Sequence, residues 1–324
     1  MPARRSGVTS LLGGSAGTQS LGAITRPPCY FRMGPACPGL HVAGRNALAS
    51  GRYTSRISYA IQVGRALLRD PPGAKERILD RVDERREQHR APPRVAADRG
   101  WEQRLHELLH ASWPCAEADA FRHMWSEISQ LLAAKDLVLG RGAFGGWDDA
   151  DPALARVAWC ITTHARPHTV VETGVGRGIT TRAILEAMDR NAYGHLFSID
   201  QPPLVDLELH TEIAAAVHEE LHSRWTLVEG SSRRRLAGVL EAIGGLDFFL
   251  HDSMHSRRNM TFEAQTAWPM LRPGGFVLMD DIERNDAFRS FSDEIRTEHQ
   301  SLIVPADDGR ALIGIIQKTP GASR

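Results

Sequence analysis

The chain has 324 residues, 42% of them hydrophobic and 24% charged, with 39 basic residues against 39 acidic and a formal net charge of zero. That composition is ordinary for a soluble globular protein, the length is enough for one large α/β domain with a smaller appendage, and the charge balance gives no reason to expect nucleic acid or a membrane surface as partner. No apolar run reaches the roughly 18 residues that a membrane-spanning helix requires.

No acidic residue precedes Asp70. Lysine stands only at Lys75, Lys135 and Lys318, so the arginine excess reads as GC-rich bacterial coding and not as a functional arginine surface. An acid-poor, arginine-bearing N-terminus fits a mitochondrial transit peptide. With this coding bias it fits better a start codon assigned too far upstream, Met33 being a candidate true start. Residues 1–50 are expected to be a disordered or mis-assigned extension, because they lack periodic apolar positions. The four cysteines, Cys29, Cys37, Cys115 and Cys160, show neither metal-ligand spacing nor a disulfide framework, which fits the cytoplasm.

Residues 51–145 read as a helical region. Ile57, Ile61 and Leu68 are spaced for one helix face, and Ile78, Leu79 and Val82 begin another segment. That segment becomes the charge run Asp83–Glu87, expected as a solvated helix face. Pro92-Pro93 marks a break. Leu105, Leu108 and Leu109, then Phe121, Trp125, Ile128, Leu131 and Leu132, predict two amphipathic helices, with Trp113 and Trp125 in the core. These helices could pair two subunits. Gly140–Gly146 is a connector that reads equally as a lid or a linker. Asp151 is the expected N-cap, with Pro152 the first residue, of a helix over 152–166.

Residues 146–324 form the second expected domain. Apolar runs predict strands at 168–172, 195–199, 225–228, 246–251, 275–280, 300–304 and 311–316, with helices between most of them. Such alternation implies an α/β, Rossmann-like fold, a seven-stranded, mostly parallel sheet with helices on both faces. A hairpin across Asp307-Asp308-Gly309 permits one antiparallel strand at the sheet edge.

Ligands of open α/β sheets bind beyond the carboxyl ends of the strands. The first strand ends in Glu172-Thr173-Gly174-Val175-Gly176-Arg177-Gly178, followed by a helix. A glycine turn lets backbone approach a ligand, and a helix start offers free N–H groups. The spacing E-x-G-x-G-x-G differs from the dinucleotide fingerprint G-x-G-x-x-G, whose third glycine is replaced by Ile179. A carboxylate here would repel a pyrophosphate but can bind a cationic amino group. The motif resembles the first motif of class I S-adenosylmethionine-dependent methyltransferases. Asp200, at the end of the second strand, can accept both ribose hydroxyls of a nucleoside. Gly230 and Ser231 follow the third strand, where the resemblance implies contact with adenine. Asp200 reads otherwise as a cap before Pro202-Pro203, and Ser232 as a helix N-cap.

The fourth strand runs into His251-Asp252-Ser253-Met254-His255. The fifth follows Leu271-Arg272-Pro273-Gly274-Gly275 and runs into Asp280-Asp281. This order resembles the bacterial methyltransferase family numbered 24 and the metal-dependent O-methyltransferases of the sugar and macrolide type. In that fold strands four and five are expected beside the first. The resemblance implies that Asp252, Asp280 and Asp281 converge to hold Mg²⁺ or another divalent cation, since crowded carboxylates repel unless a hard cation compensates them. Met254 stands where some sugar enzymes have an aspartate base, so His255 is the nearest substitute; it reads also as a metal ligand or a helix cap. His251 is expected to be structural, on the opposite face. Asp281 reads alternatively as a cap of a helix near 285–297.

The implied activity is S-adenosylmethionine-dependent O-methylation of a sugar, glycolipid or secondary-metabolite hydroxyl. Asp252 and His255 act on the acceptor, and Glu172, Gly174, Gly176, Gly178, Asp200, Gly230 and Ser231 hold the methyl donor. The rival readings are an NAD-dependent oxidoreductase and a non-catalytic binding protein on the same fold.

Overall fold

The computed structural model describes residues 64, 68, 71–87, 95–201, 207–295 and 299–319. The expectations for residues 1–50, Ile57, Ile61, Pro92-Pro93 and Pro202-Pro203 lie outside the described residues. In chain order the described elements are α1 (Pro71–Glu87), α2 (Trp101–Leu108), α3 (Ala118–Ala134), α4 (Ala153–Ala165), β1 (Thr169–Thr173), α5 (Ile179–Asn191), β2 (His195–Asp200), the short α6 (Leu207–His210) and β3 (Trp225–Glu229). They continue with α7 (Ser232–Ile243), β4 (Leu246–His251), α8 (Arg257–Ala267), β5 (Leu271–Met279), α9 (Ala287–Glu294), β6 (His299–Pro305) and β7 (Leu312–Lys318). Among the described residues no helix is long and apolar enough to cross a membrane.

The seven strands form one sheet in the order β3-β2-β1-β4-β5-β7-β6. β1 to β5 are parallel, while β7 runs antiparallel to both β5 and β6. Two expectations are corrected by this order. The antiparallel strand is not at the edge, because the 306–311 hairpin folds β7 back into the place beside β5 and leaves β6 outside. β1 is flanked by β2 and β4, and β5 lies one strand further out. β5 also begins at Leu271, four residues before the expected start, as it pairs with Leu246 ahead of a register shift.

All five residues of β1 are buried, as a central parallel strand of β-branched residues requires. Alternation then divides the core. Val170, Phe248, Leu250, Phe276 and Leu278 face one side with Trp159, Ile161, Ile184 and Leu185. Val171, Phe249, Val277 and Met279 face the other with Leu236, Leu240, Met260, Phe288 and Phe291. Helices α2 and α3 join the first of these cores through Leu105, Leu109, Phe121, Trp125, Ile128 and Leu132. The Asp151 side chain accepts from the Ala153 N–H at 2.8 Å, so it caps α4 as expected.

α1 departs from the expectation of an apolar face turned to a core. Leu68 and Ile78 are exposed, and Leu79 and Val82 are little less so. The helix docks by its polar edge instead. Both oxygens of Glu87 accept from the Arg257 N–H that opens α8 (2.9 and 3.0 Å), where free amides and the helix dipole favour a carboxylate. Asp83 lies 3.9 Å from Arg258. The charge run is therefore a contact surface and not only a solvated face.

Two of the four cysteines lie among the described residues. Cys115, in the loop after α2, and Cys160, on α4, are both free and buried. They meet His106 and His164 where α2 crosses α4.

Phe248 is fully buried at the centre of the sheet. Phe248→Ala should cost about 3–5 kcal/mol, read as a lower midpoint of urea unfolding with unchanged slope. A shift too small to measure would mean that this face is not the core.

Candidate active site

The parallel ladders run one residue past each strand and bring the strand ends into line. The Gly174 N–H donates to Ile199 O (2.9 Å), Asp252 N–H to Thr173 O (2.9 Å), Asp280 N–H to His251 O (3.1 Å) and Gly230 N–H to Asp200 O (2.8 Å). Gly174, Asp252, Asp280, Asp200 and Gly230 thus stand along the carboxyl edge of the sheet. Gly174 has φ +87°, and a Cβ there would lie 2.0 Å from the Asp252 carbonyl oxygen. Only glycine lets β1 turn this close to β4. Gly176, with φ +51°, keeps ordinary room for a Cβ, 3.5 Å from Phe144, so its conformation alone favours glycine.

Glu172 is fully enclosed beneath the turn. Its Oε2 accepts from Ser198 Oγ (2.6 Å) and Thr181 Oγ1 (2.8 Å), whereas Oε1 has no partner. Burial pushes its carboxyl up to about 8, against those two hydrogen bonds. Asp200 is pushed up to about 6 by burial, although the backbone N–H groups of Gln201, Val175 and Gly176 pull it down. The Asp200 carboxylate is thus tied to the glycine turn itself.

Arg177, a position the sequence reading passed over, fixes the connector. Its guanidinium donates to Glu212 (2.8 Å), Asp149 (2.6 Å), Val138 O (2.9 Å) and Ala143 O (3.1 Å) and lies over the Phe144 ring. Asp149 also accepts from the Gly140 N–H at 2.7 Å. These bonds hold the Gly140–Trp147 segment with Phe144 against Gly176.

The rim beside β3 is occupied by α1. Ser231 Oγ donates to Glu76 Oε2 at 2.6 Å, with Arg234 3.6 Å from the same oxygen. Ser231, and not Ser232, precedes α7, and its hydroxyl makes no cap hydrogen bond.

Across the sheet, ligand atoms of Asp252, His255 and Asp280 all lie within 4.8 Å of one another. Asp281 does not join them. With φ +53°, it turns to His255 Nδ1 (2.8 Å) and Arg284 (2.7 Å). Neither alternative capping role is taken: Ser256 caps α8 by accepting from the Asn259 N–H, and Asn285 Oδ1 accepts from the Ala287 N–H at the start of α9. Burial, then Asp281 and Asp252, push the Asp280 carboxyl well above its ordinary value. Burial pulls His255 down, but the carboxylates of Asp252, 3.5 Å from Nε2, of Asp281 at Nδ1 and of Asp280 outweigh it, and its pKa lies well above the ordinary value; Nε2 itself makes no hydrogen bond. Burial likewise acts against Asp281, yet His255 and Arg284 hold its carboxyl below the ordinary range.

Beneath this cluster lies a network that the sequence reading missed. Glu263 of α8 accepts from His251 Nδ1 (2.6 Å), Thr173 Oγ1 (2.6 Å), Ser253 Oγ (2.7 Å) and Asn259 Nδ2 (2.8 Å). Burial alone would raise its carboxyl, but the His251 charge and these bonds hold it down at about 2. Its signal was available: Asn259 and Glu263 break the buried Met260–Ala264–Ala267 stripe of α8, and buried polar residues on an apolar stripe require partners. His251 is fully buried and turned to Glu263, on the structural side where alternation placed it.

Residues 171–282, about a third of the chain, match the model of methyltransferase family 24, described as a methyltransferase domain. No curated protein matches the chain. Among solved structures, the chain is similar to the O-methyltransferase TomG of Streptomyces achromogenes, in complex with SAM, at 15% identity and a TM-score of 0.43, over 60% of this chain and 89% of that one. It is similar also to an O-methyltransferase of Bacillus cereus in complex with SAH, at 16% identity and a TM-score of 0.43, over 67% and 98%. A third is a SAH-bound methyltransferase of Podospora anserina, at 15% identity and a TM-score of 0.40, over 71% and 100%.

The Glu172 carboxyl titrates at about 8 in the folded chain against an ordinary 4.5, so the folded state holds a proton that the unfolded state releases between these values. Its contribution to stability is full below pH 4.5 and is lost as pH rises through 8, at about 1.4 kcal/mol per unit. Glu172→Gln should therefore make the ligand-free chain more stable than wild type at the alkaline end, with a flatter profile. Thermal unfolding against pH reads this, and parallel profiles would show that Glu172 is not a buried neutral acid.

Proposed function

We propose that this chain, a class I S-adenosylmethionine-dependent methyltransferase by its sheet order and its family-24 domain, methylates a hydroxyl oxygen with help from a divalent cation. The methyltransferase domain sets aside the NAD-dependent reading. The observation that carries the proposal is the meeting of Asp252, His255 and Asp280 at the end of β4 and β5, one strand from the glycine turn.

The residues present fit the methyl donor. Glu172 Oε1 is a buried oxygen without a partner, a costly state that an ammonium group would relieve. Gly174, Gly176 and Gly178 would let the donor approach the backbone, Asp200 would hold its ribose hydroxyls, and Gly230 and Ser231 would border its base. Asp252 and Asp280 fit Mg²⁺, which prefers carboxylate oxygen; Asp281 would act from behind by orienting His255. When bound, S-adenosylmethionine supplies an electrophilic methyl on sulfonium sulfur, and the cation supplies Lewis acidity to the acceptor hydroxyl.

The chain's own residues do the rest. The rigid turn and the Arg177-held wall fix the direction of approach, which is where most of the rate of an in-line displacement arises. His255 sits between two carboxylates that hold its extra proton. With a cation held by Asp252 and Asp280, the Asp252 share of that hold would weaken while Asp281 kept Nδ1 in place, and His255 Nε2 would serve as the base for the hydroxyl proton. The acceptor is proposed to be a sugar, glycolipid or secondary-metabolite hydroxyl, on the resemblance of the Asp-Ser-x-His and Asp-Asp motifs to sugar O-methyltransferases.

Asp252→Ala should abolish turnover and leave S-adenosylmethionine binding intact by isothermal titration, whereas Asp200→Ala should weaken that binding. The opposite pattern would exchange the two halves of the site. His255→Ala should lower kcat about 100- to 10,000-fold. EDTA should stop turnover and Mg²⁺ restore it; activity indifferent to EDTA would remove the metal from the proposal.

A further inference from the structure

A second cluster of metal-ligating side chains lies far along the chain from the first, where α2 crosses α4. His106 is on α2, Cys115 follows in the loop, and Cys160 and His164 stand four residues apart on α4, on one face of that helix. A ring nitrogen of His106 and the sulfurs of Cys115 and Cys160 all lie within 4.8 Å of one another, and all three residues are buried. His164 Nε2 lies next to this group, 3.3 Å from Cys115 Sγ. The two imidazole centroids are 5.4 Å apart.

The orientation of His106 is the second, independent observation. Its Nδ1 lies 2.7 Å from the Glu102 carbonyl oxygen, which places the ring proton on Nδ1 and leaves Nε2 as a bare acceptor. That Nε2 is buried and has no hydrogen-bond partner, in a residue only 1% exposed. A histidine held by a carbonyl on one nitrogen and left open on the other is the arrangement of a metal-ligating imidazole. The alternative, a lone pair enclosed beside two thiols, has only a weak S–H donor to offset its desolvation.

The donor set selects the metal. A donor set of two sulfurs and two imidazole nitrogens suits zinc and not the hard cation expected at Asp252 and Asp280. With zinc bonds of about 2.3 Å to sulfur and about 2.0–2.1 Å to nitrogen, the corners of such a tetrahedron fall ~3.3–3.8 Å apart. The spacing of Cys115 and His164 lies at that scale, and His106, Cys115 and Cys160 would contract to it from separations of at most 4.8 Å. Four protein ligands leave no open position, which marks a structural site. We propose that His106, Cys115, Cys160 and His164 bind one structural zinc ion that pins α2 and the following loop to α4. The sequence concealed it because the spacing, H-x8-C-x44-C-x3-H, keeps only the pair on α4 close together.

The test uses the full chain, purified without added chelator and under reducing conditions. Elemental analysis should find one zinc per chain in wild type and in Asp280→Asn, and essentially none in Cys160→Ser or His106→Gln. Replacement of the metal by Co²⁺ in wild type should give the d–d bands of a tetrahedral site and a thiolate-to-cobalt charge-transfer band. Asp280→Asn should keep that charge-transfer band, which places the metal at the thiolates and not at the acidic cluster. The cobalt spectrum needs no variant, so a misfolded Cys160→Ser cannot obscure the answer. Folded wild type without zinc and without the thiolate band, full zinc in the Cys160→Ser chain, or a Cys115–Cys160 disulfide in the native protein would each overturn the proposal.

Discussion

The ends of β1 and β4 pass so close at Gly174 that a single added carbon would strike the Asp252 carbonyl. Everything at the carboxyl edge depends on that approach. It lets the Asp252 N–H reach Thr173 O, which sets the height of the acidic cluster relative to the glycine turn. It also explains how one residue can serve packing and chemistry together. The glycine that joins the strands is the glycine that opens the turn, so the packing explanation and the binding explanation of this motif describe one geometry.

Two buried glutamates flank β1 on opposite faces, and their charges are driven apart by their partners. Glu172 has two hydroxyls and one bare oxygen, and burial wins. Glu263 has four donors, one of them His251, and the bonds win. Saturation of the carboxylate decides the outcome. The first is a buried acid with one oxygen unpaired; the second is a fixed anion that orders His251, Ser253 and Asn259 beneath the acidic cluster. Enclosed networks of this kind rigidify what they hold as their members are satisfied; here the carboxylate is saturated, while His251 Nε2 has no hydrogen-bond partner.

Periodicity carried the sheet. Runs such as Val170-Val171 and Phe248-Phe249 have no polar alternation because both faces are covered, and their lengths placed all seven strands within a few residues. What a linear pattern does not carry is the order of strands after the parallel run. The Asp307-Asp308-Gly309 turn announces a hairpin but not which of its arms lies inside. At the candidate site, Asp252, Asp280 and His255 were legible because each follows a strand end. Asp281 was not separable from Asp280, since adjacent residues diverge only through backbone angles, here a left-handed turn. Arg177, Glu76 and Glu263 act through partners 28 or more, 155 and up to 90 residues away, distances that no local motif records. The histidine–cysteine group is hidden for the same reason.

The N-terminal helices are attached by two different kinds of force. α2 and α3 bury Leu105, Phe121, Ile128 and Leu132 in the main core, an attachment that charge screening does not weaken. α1 rests on carboxylates set against arginines, a hydroxyl and a helix start, while its leucine, isoleucine and valine face solvent. Attraction of that kind is screened over roughly 10 Å at 0.1 M salt. Ionic strength therefore acts as a selective solvent for α1, loosening it from Ser231 and the rim of the cleft while the rest of the molecule stays assembled.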